Sequence, residues 1–391
     1  MRATLKGIKQ VFRREVRQIA HDFNITLVVL VAPLIYALFY GSIYMHKTEQ
    51  DIPIVVVDND HTELSRLLIR DLDAHQSIKV EAAETDIGEA RAMVQRLECE
   101  GTVFIPEGFE RSLKNGVGCD LHISLNTSRF LVSNDLNKAI TEVVTTLAAG
   151  VKIKFFEAKG YSQEQALQAA EPLLGEVRPL FNPVGSYGDF FLPGLLMLIL
   201  QQTMLIGLAE SIAKEREERS LPDLRQNANL SAIAAVIGKG GCYLAIYSAY
   251  ALFFFVVVFP FYRLPVAGSS LALATLTLLL LVTIIPIAIF VSSFFDSKIR
   301  ALQFLAMSSI PIFLISGYSW PTESMPRLLQ WLSQLIPTTP YLHAFIRVSQ
   351  MGAGWSHVTG EMLQLLLLAG VWLVVCLWRI RRLFAGIEPS P

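Results

Sequence analysis

The side chains best suited to chemistry are few and scattered along the chain. Histidines stand at His61, His75 and His122, at spacings that match neither a metal site nor a nucleophile–base pair. Gly238-Lys239-Gly240 has the Gly-Lys pair of a phosphate-binding loop, but it lacks the earlier glycine and the following hydroxyl of that motif. The sequence therefore predicts no catalytic set, no metal site and no cofactor held by this chain.

Charged side chains are concentrated at residues 210–225, where both signs are mixed and Leu221 and Leu224 are the apolar positions. A mixed-charge stretch with apolar points is typical of a surface that docks a cytosolic protein partner. The alternative interpretation is a solvated loop whose charges only set the membrane topology.

The composition is that of a membrane protein. Hydrophobic residues make up 52% of the 391 residues and charged residues 17%, and the mean hydropathy is +0.45, which together are wrong for a soluble protein. A net charge of -1 provides no basic surface for a phosphate backbone, so we expect no nucleic-acid partner. The first apolar run follows a basic segment and is long enough to span, so we expect no cleavable signal peptide.

Several apolar runs are long enough to cross the hydrocarbon core, which takes about 20 residues of helix. The predicted transmembrane helices are residues 24–45, 186–209, 230–262, 268–295, 299–318 and 358–378. The other segments are a basic stretch at 1–23, a large domain at 46–185, a charged loop at 210–229, an irregular piece at 319–357 and a tail at 379–391. We therefore expect an α-helical polytopic membrane protein with six transmembrane helices and one inserted α/β domain.

The distribution of Lys and Arg predicts the orientation of these helices. Six basic residues precede the first helix, four lie in the loop at 210–229, two lie between residues 295 and 301, and three lie in the tail. The short segments on the other side hold only Arg263, Arg327 and Arg347. Because positive charge is retained inside, both termini are predicted to be cytoplasmic. The domain at 46–185 is then extracytoplasmic, since large domains translocate regardless of charge.

Residues 1–23 have the pattern of an amphipathic helix, with apolar residues at spacings of three and four. The apolar positions are Leu5, Ile8, Phe12, Val16, Ile19 and Phe23. We predict a helix in the inner membrane interface, with its cations toward anionic headgroups; the alternative is a helix that packs on a protein partner. The cations assigned to headgroups are Lys6, Lys9, Arg13, Arg14 and Arg17.

The domain at 46–185 alternates short strand and helix patterns, which predicts a small α/β layer with a mainly parallel sheet. Two longer helices, 136–157 and 163–174, are predicted to form a stalk leading back to the membrane. Asp60 and Glu63 fit a capping box, so the acidic residues there need no metal to explain them. The predicted strands are residues 52–57, 78–80, 102–105 and 121–125, and the predicted short helices are 62–73, 87–97 and 108–115.

Cys99 and Cys119 fall in this domain, and each directly precedes a predicted strand. They would lie side by side if the two strands were neighbours. A disulfide is chemically permitted outside the cytoplasm, and the sequence alone leaves both a bridge and two free thiols open.

The segment 319–357 is too short and too interrupted by proline to span the membrane. Trp320, Trp331 and Tyr341 suit the headgroup level, so we predict short interfacial or re-entrant helices on the outer side.

Four places in the sequence resemble the permease subunits of type-2 ATP-binding-cassette (ABC) exporters, in the branch with a large extracytoplasmic domain between the first two transmembrane helices. Three of them are Phe191-Leu-Pro-Gly194, then Lys214-Glu215-Arg216-Glu217 followed by Ser220, Leu221 and Leu224, then Gly238-Lys239. The fourth and most specific comprises Ser316, Gly317, Trp320, Pro321, Met325, Pro326, Pro337, Tyr341 and Arg347. The likeness covers the whole chain in order.

The resemblance implies that the loop containing Lys214-Glu-Arg-Glu217 is a coupling helix that sits in a cleft of a separate ATPase. It also implies that two permease chains pair about one pathway, and that ATP and Mg²⁺ are bound by the partner ATPase. Arg219 stands where the family usually has glycine before serine or threonine, and Pro222 follows soon after. This is a departure from the family pattern in the docking region.

The predicted function is that of an ABC exporter permease in the bacterial inner membrane, moving a hydrophobic or amphipathic, drug- or lipid-like substrate. The expected partners are cytosolic ABC ATPase subunits, a second permease chain in a homo- or heterodimer, membrane lipid and a periplasmic adaptor protein. The alternatives are an ion-coupled secondary transporter, a membrane enzyme acting on envelope components, and a scaffold or receptor without transport. Against the first, Glu210, Lys239, Asp296 and Glu361 all fall near predicted helix ends rather than deep in the bilayer.

Overall fold

A computed structural model of the chain describes residues 2–45, 47–84, 86–170, 179–183 and 185–386. The contacts divide the chain into two compact units, one formed by Met1–Met45 with Gly188–Pro391 and the other by His46–Tyr187. The first unit is helical, and the second contains a four-stranded sheet.

Each predicted apolar run forms a helix, and these helices are called spans 1 to 6. Within the described residues, six helices are long and apolar enough to cross a membrane. They are span 1, Phe23–Ile43; span 2, Tyr187–Glu217; span 3, Ala232–Phe261; span 4, Ser270–Ser292; span 5, Lys298–Ile315; and span 6, Thr359–Ala385. This is the architecture of a polytopic α-helical membrane protein.

Shorter helices precede and connect the spans. An N-terminal helix, Arg2–His21, comes before span 1, and the helix Leu221–Asn227 follows span 2. Between spans 5 and 6 the chain forms the helices Arg327–Gln334 and Thr338–Ser349. The segment predicted to hold short helices after the fifth span therefore does so.

Span 2 is the centre of the helical unit. In its most apolar stretch 83% of the residues are buried, against 22% in span 1 and 17% in spans 5 and 6. The outer spans keep exposed apolar side chains such as Leu38, Met307 and Val374. In a membrane protein such a surface is offered to lipid or to another membrane helix.

Span 2 ends later than the sequence predicts. The prediction placed a helix at 186–209 and a loop at 210–229, but the helix continues to Glu217, and only the short helix Leu221–Asn227 follows it. Residues 210–217 include Ala, Lys, Glu and Arg, which are strong helix formers. Charge alone was therefore misleading as a signal for a loop.

The end of span 2 is a Schellman motif built around a non-glycine residue. The backbone N–H of Ser220 donates to the carbonyl of Glu215 at 2.8 Å, and that of Arg219 donates to Arg216 at 3.2 Å. Arg219 has a φ of 54°, in the left-handed region that this motif requires. Glycine is the residue that adopts this conformation at the lowest cost, so the family's usual glycine has a physical role at this position.

Spans 1 and 3 each contain a turn of π-helix, Leu27–Val31 and Phe254–Val258. Each turn lies two residues before a proline, Pro33 and Pro260. A proline ring lacks an N–H and clashes with the carbonyl four residues earlier in a regular α-helix. The wider turn accommodates the ring and keeps each span continuous.

The second unit has a sheet in the strand order β2-β1-β3-β4. The strands are β1, Ile52–Asp58; β2, Ile78–Glu84; β3, Gly101–Ile105; and β4, His122–Leu125. β1 pairs in parallel with β2 and β3, and β4 runs antiparallel to β3, so the sheet is mainly parallel as predicted. The helices are Glu63–Asp73, Ile87–Gln95, Phe109–Lys114, Phe130–Ala158 and Gln163–Ala170.

The sheet is covered on both faces. Successive side chains of β1 point to opposite faces, and all of them are apolar from Ile54 to Val57, so both faces must be buried. Ile54 and Val56 belong to one apolar cluster, and Val55 and Val57 belong to another on the opposite face. The long helix predicted at 136–157 begins earlier, at Phe130. The helix predicted at 163–174 is present as Gln163–Ala170, and residues 171–174 lie outside the described residues.

The predicted capping box of Asp60 with Glu63 is wrong. The helix begins at Glu63 with Thr62 as its N-cap, and Thr62 and Ser65 form the capping box. Two hydroxyl side chains with the same three-residue spacing supply the reciprocal bonds. Asp60 instead accepts the backbone N–H groups of Gly108 at 2.8 Å and Glu110 at 3.0 Å, and so caps a different helix.

Cys99 and Cys119 are free thiols. β3 and β4 are neighbours, but they are antiparallel, with Gly101 opposite Leu125 at one end of the pair. Cys99 precedes β3 at that end and Cys119 precedes β4 at the other, so the register separates the two thiols and a bridge does not form. Burial raises the pKa of both thiols, which keeps them neutral.

Candidate functional site

The N-terminal helix packs along span 3. Its buried residues are Gly7, Val11, Glu15 and Ile19, which recur every four positions. A Cβ on Gly238 of span 3 would lie 2.6 Å from the Cβ of Val11, so glycine is needed for the two helices to approach this closely. The next residue, Lys239, is thereby brought within reach of Glu15.

The buried row of the N-terminal helix differs from its row of apolar residues. Leu5 and Val16 are 59% and 47% exposed, as side chains that face lipid would be, whereas Glu15 is fully buried. The interfacial position of this helix stays a prediction. Helix packing here depends on small residues and ion pairs, which a count of apolar positions does not detect. Of the cations assigned to headgroups, Lys6, Lys9, Arg13 and Arg17 are exposed, and Arg14 is half-buried.

Three elements meet at a cluster of buried ions. Lys239 Nζ of span 3 lies 2.6 Å from Glu15 Oε2 of the N-terminal helix and 3.0 Å from Glu215 Oε1 of span 2. The ammonium group also donates to Ser211 Oγ at 2.7 Å. Arg14 makes a two-point pair with Glu215, in which Nη2 lies 2.9 Å from Oε2. We call Arg14, Glu15, Ser211, Glu215 and Lys239 the ion cluster.

The ion cluster is balanced, with two carboxylates against two cations. The side chains of Glu15, Glu215 and Lys239 are at most 1% exposed. Removing one partner from a buried pair leaves an uncompensated charge, which costs about 3–5 kcal/mol. The N-terminal helix, the end of span 2 and the start of span 3 are therefore held together as one body.

A second network lies beside the ion cluster. Asp22, the residue before span 1, accepts hydrogen bonds from Lys214 Nζ at 2.7 Å and from Lys298 Nζ at 3.1 Å. Burial alone would raise the pKa of Asp22, but the hydrogen bonds from the two lysines outweigh it and lower the pKa to about 2. Asp22 is therefore ionised at every physiological pH.

Arg216 and Glu217 bind the connection between spans 4 and 5. Arg216 forms an ion pair with Asp296 and donates to the carbonyl of Ser293. Glu217 Oε2 accepts the backbone N–H of Lys298 at 2.8 Å. The end of span 2 is thus bound to the N-terminal helix, to the residue before span 1, to span 3 and to the connection between spans 4 and 5.

The structure divides the residues predicted to couple to an ATPase. Lys214, Glu215, Arg216 and Glu217 all bind within the chain, the Ser220 hydroxyl donates to Glu215 at 2.6 Å, and Leu221 is half-buried. Glu215 and Leu224 are buried, so neither can contact a partner directly. The exposed residues here are Glu217, Glu218, Arg219, Pro222, Asp223 and Gln226.

Three members of these networks were missed by sequence reasoning: Glu15, Ser211 and Asp22. The signal for Glu15 was present, because it stands four residues from both Val11 and Ile19 on the row that is buried. Ser211 and Asp22 carry no comparable signal, since a serine in a span and an aspartate before one have many local explanations.

The motif from Ser316 to Arg347 builds turns and helix starts. Gly317 has a φ of 83°, and a Cβ there would lie 2.6 Å from His343 Nε2. Pro326 and Pro337 are the N-caps of the two helices, and Pro321 is the N-cap of a 3₁₀ turn, Thr322–Ser324, that ends at Met325. The Ser316 hydroxyl donates to the carbonyl of Phe313 at 2.6 Å.

The aromatic residues of this segment do not share one environment. Trp320 and Trp331 are 59% and 76% exposed, as a position among headgroups requires. The same prediction for Tyr341 is wrong, because Tyr341 is fully buried with its hydroxyl 3.1 Å from that of Thr277 in span 4. Arg347 forms an ion pair with Glu361 of span 6.

Comparison with known proteins identifies the family. The family described as ABC-2 family transporter protein matches residues 25–378. The chain is 23% identical over 335 residues to "Inner membrane transport permease YhhJ" of Escherichia coli (strain K12), covering 84% of this chain and 85% of that protein. It is 30% identical over 182 residues to "Probable multidrug ABC transporter permease YbhR" of the same strain, covering 46% and 49%.

A third relative comes from a different organism. "Linearmycin resistance permease protein LnrN" of Bacillus subtilis (strain 168) is 21% identical over 363 residues, covering 85% of this chain and 89% of that protein. The family match extends from span 1 to span 6. This multi-pass membrane protein therefore belongs to the ABC-2 family of transporter proteins.

Proposed function

We propose that the chain is the permease subunit of an ABC exporter in the bacterial inner membrane, driven by a separate ATPase that binds ATP and Mg²⁺. The names of its relatives as an inner membrane transport permease, a multidrug ABC transporter permease and a linearmycin resistance permease support this proposal. They also support a hydrophobic or amphipathic substrate, drug- or lipid-like, that leaves the cytoplasm or the inner leaflet.

The proposed topology follows from the basic residues. The ion cluster and the helix Leu221–Asn227 lie on the cytoplasmic side, together with both termini, and the α/β unit is extracytoplasmic. A second permease chain, identical or not, covers part of the exposed apolar surface of the outer spans. The α/β unit offers a surface to a periplasmic adaptor protein.

The observation that carries the proposal is the position of the ion cluster directly beside the helix Leu221–Asn227. Ser220, the residue before that helix, donates to the same Glu215 carboxylate that pairs with Arg14. Span 2 continues as a rigid helix to Glu217, without an intervening flexible loop. A displacement of the short helix by an ATPase is therefore transmitted to span 2.

Two roles are separated in this mechanism. The exposed residues of the short helix, among them Asp223, dock on the ATPase, and the buried Glu215 transmits the movement to span 2 and the N-terminal helix. Because the charges of the ion cluster resist separation, the three elements move together, and the spans rock between inward and outward access.

The experiment compares three variants of the full chain expressed with the ATPase that copurifies with it. Asp223→Lys should weaken ATPase association by about fivefold or more, as expected for loss of a charged contact at an interface. Glu215→Gln should leave association intact but abolish the stimulation of ATP hydrolysis by transported compounds. Glu323→Lys reverses an exposed acid in the segment between spans 5 and 6 and should change neither.

The docking role is rejected if Asp223→Lys and Glu323→Lys associate equally well with the ATPase. The transmission role is rejected if transported compounds stimulate ATP hydrolysis in Glu215→Gln as strongly as in the wild type. An ion-coupled transporter, the rival class, would instead retain export in vesicles that are depleted of ATP but hold a proton gradient.

A further inference from the structure

A pocket of about 380 Å³ lies between the start of span 3 and the end of span 6, apart from the ion cluster. Arg225, from the helix Leu221–Asn227, and Arg381, from span 6, line it together with the apolar side chains of Leu230, Ile233 and Phe384. The pocket thus joins three elements that are far apart in the sequence.

The charge of the pocket favours an anion. Two guanidinium groups line it, and none of the lining residues that the structure describes is acidic. Arg381 is exposed and forms no ion pair with any residue that the structure describes. Guanidinium groups are planar donors that match the oxygen atoms of a phosphate.

The position of the pocket favours a lipid as the source of that anion. Span 3 begins at Ala232 and span 6 ends at Ala385, so the pocket lies at the level where both apolar helices end. Ile237, one turn along span 3 from Ile233, and Trp378, nearly one turn before Arg381, are exposed apolar side chains. They continue an apolar surface from the pocket toward the bilayer interior, where acyl chains lie.

We propose that this pocket binds an acidic phospholipid, with Arg225 and Arg381 on its phosphate and the acyl chains along Ile237 and Trp378. The lipid then bridges the helix Leu221–Asn227 to the end of span 6. Binding of this lipid requires neither a transported substrate nor an ATPase, so it is independent of the proposed function.

The test is native mass spectrometry of the full chain purified in detergent, with phosphatidylglycerol and phosphatidylcholine added in turn. The wild type should retain phosphatidylglycerol in preference to phosphatidylcholine. Arg381→Glu should lower that retention by about fivefold or more, since each cation near a membrane surface contributes on that scale. Arg300→Glu makes the same change of charge at an exposed arginine at the start of span 5, which does not line the pocket, and should retain the lipid.

Arg381→Lys keeps the charge and should retain most of the lipid, which separates loss of binding from loss of folding. Equal loss in Arg381→Glu and Arg300→Glu overturns the proposal, because the effect would then be one of general surface charge. Displacement of the lipid by millimolar inorganic phosphate overturns the lipid as occupant in favour of a free anion. If Arg381→Glu retains the lipid but loses the ATPase, the pocket belongs to a protein partner and the proposal fails.

Discussion

The two ends of span 2 are held in place by different physical means. At the Glu215 end, fully buried ions join span 2 to the N-terminal helix and span 3. At the Gly194 end, about 30 Å away along the helix, the hydroxyl of Tyr318 accepts the backbone N–H of Gly194 at 3.1 Å. The Tyr318 ring also stacks on Phe190, with 5.3 Å between the ring centroids.

The difference lies in how each end fails. Buried ions are costly to separate, because each partner left behind is an unpaired charge in an apolar environment. Stacked rings and neutral hydrogen bonds each contribute about 1 kcal/mol and can be lost one at a time. We therefore expect the ion-cluster end to move only as a unit, and the Tyr318 end to tolerate gradual adjustment.

The largest effect is expected at the ion cluster. Lys239→Met introduces an uncharged side chain of similar length and leaves Glu15 without its cation. It should lower the free energy of unfolding by about 3–5 kcal/mol. The measurement is thermal or denaturant unfolding of the full chain in detergent.

Two further variants sharpen this result. Lys239→Met combined with Glu15→Leu removes both charges and should recover most of the lost stability, since the Arg14–Glu215 pair remains. Tyr318→Phe removes the buried hydroxyl at the Gly194 end of span 2 and should cost only about 1 kcal/mol. If Lys239→Met and Tyr318→Phe cost the same, the two ends do not differ in the way described.

An intermediate effect is expected at the turn after span 5. Gly317→Ala places a Cβ against His343 and Thr322 in a left-handed conformation, and should destabilise the chain by about 1–3 kcal/mol. Gly370→Ala is the matched control, because a Cβ at this position in span 6 meets nothing within 4 Å. Equal melting temperatures for the two variants would contradict the steric account of this end.

The smallest effect is expected at the end of span 2. Arg219→Gly removes the steric strain of a Cβ in the left-handed conformation and should stabilise the chain by about 1 kcal/mol. Glu218→Gly, one residue earlier and not in that conformation, should not stabilise it. An unchanged melting temperature for Arg219→Gly would show that another contact of Arg219 offsets the backbone gain.

Local sequence patterns predicted the helices and strands, whereas the ion cluster depends on tertiary contacts that these patterns do not contain. The six spans and the parallel strands follow from runs and alternation of apolar residues, which depend on near neighbours in sequence. The ion cluster depends on Glu15 meeting Lys239, a pairing between residues far apart in the chain. Hydrophobic periodicity predicts which face of a helix is apolar. It cannot predict that a buried carboxylate will form an ion pair with a cation on another helix.

The direction of β4 shows the same limit. Strand patterns predicted that the segments following Cys99 and Cys119 would be strands, and they are. Whether neighbouring strands run parallel or antiparallel depends on the connection between them, and this determined that the two thiols lie apart. Residues 210–217 differ in this respect, because their helix agrees with local helix propensity; what the sequence could not supply is the set of ion pairs that they form with other elements.

The pairing of Glu15 with Lys239 also constrains the order in which the helices can assemble during synthesis. The two residues are 224 positions apart, so at about 5–20 residues per second the ribosome needs on the order of tens of seconds to supply the second after the first. Until then Glu15 lacks the cation that it pairs with in the folded chain. The ion cluster can therefore close only after span 2 and the start of span 3 have been synthesised.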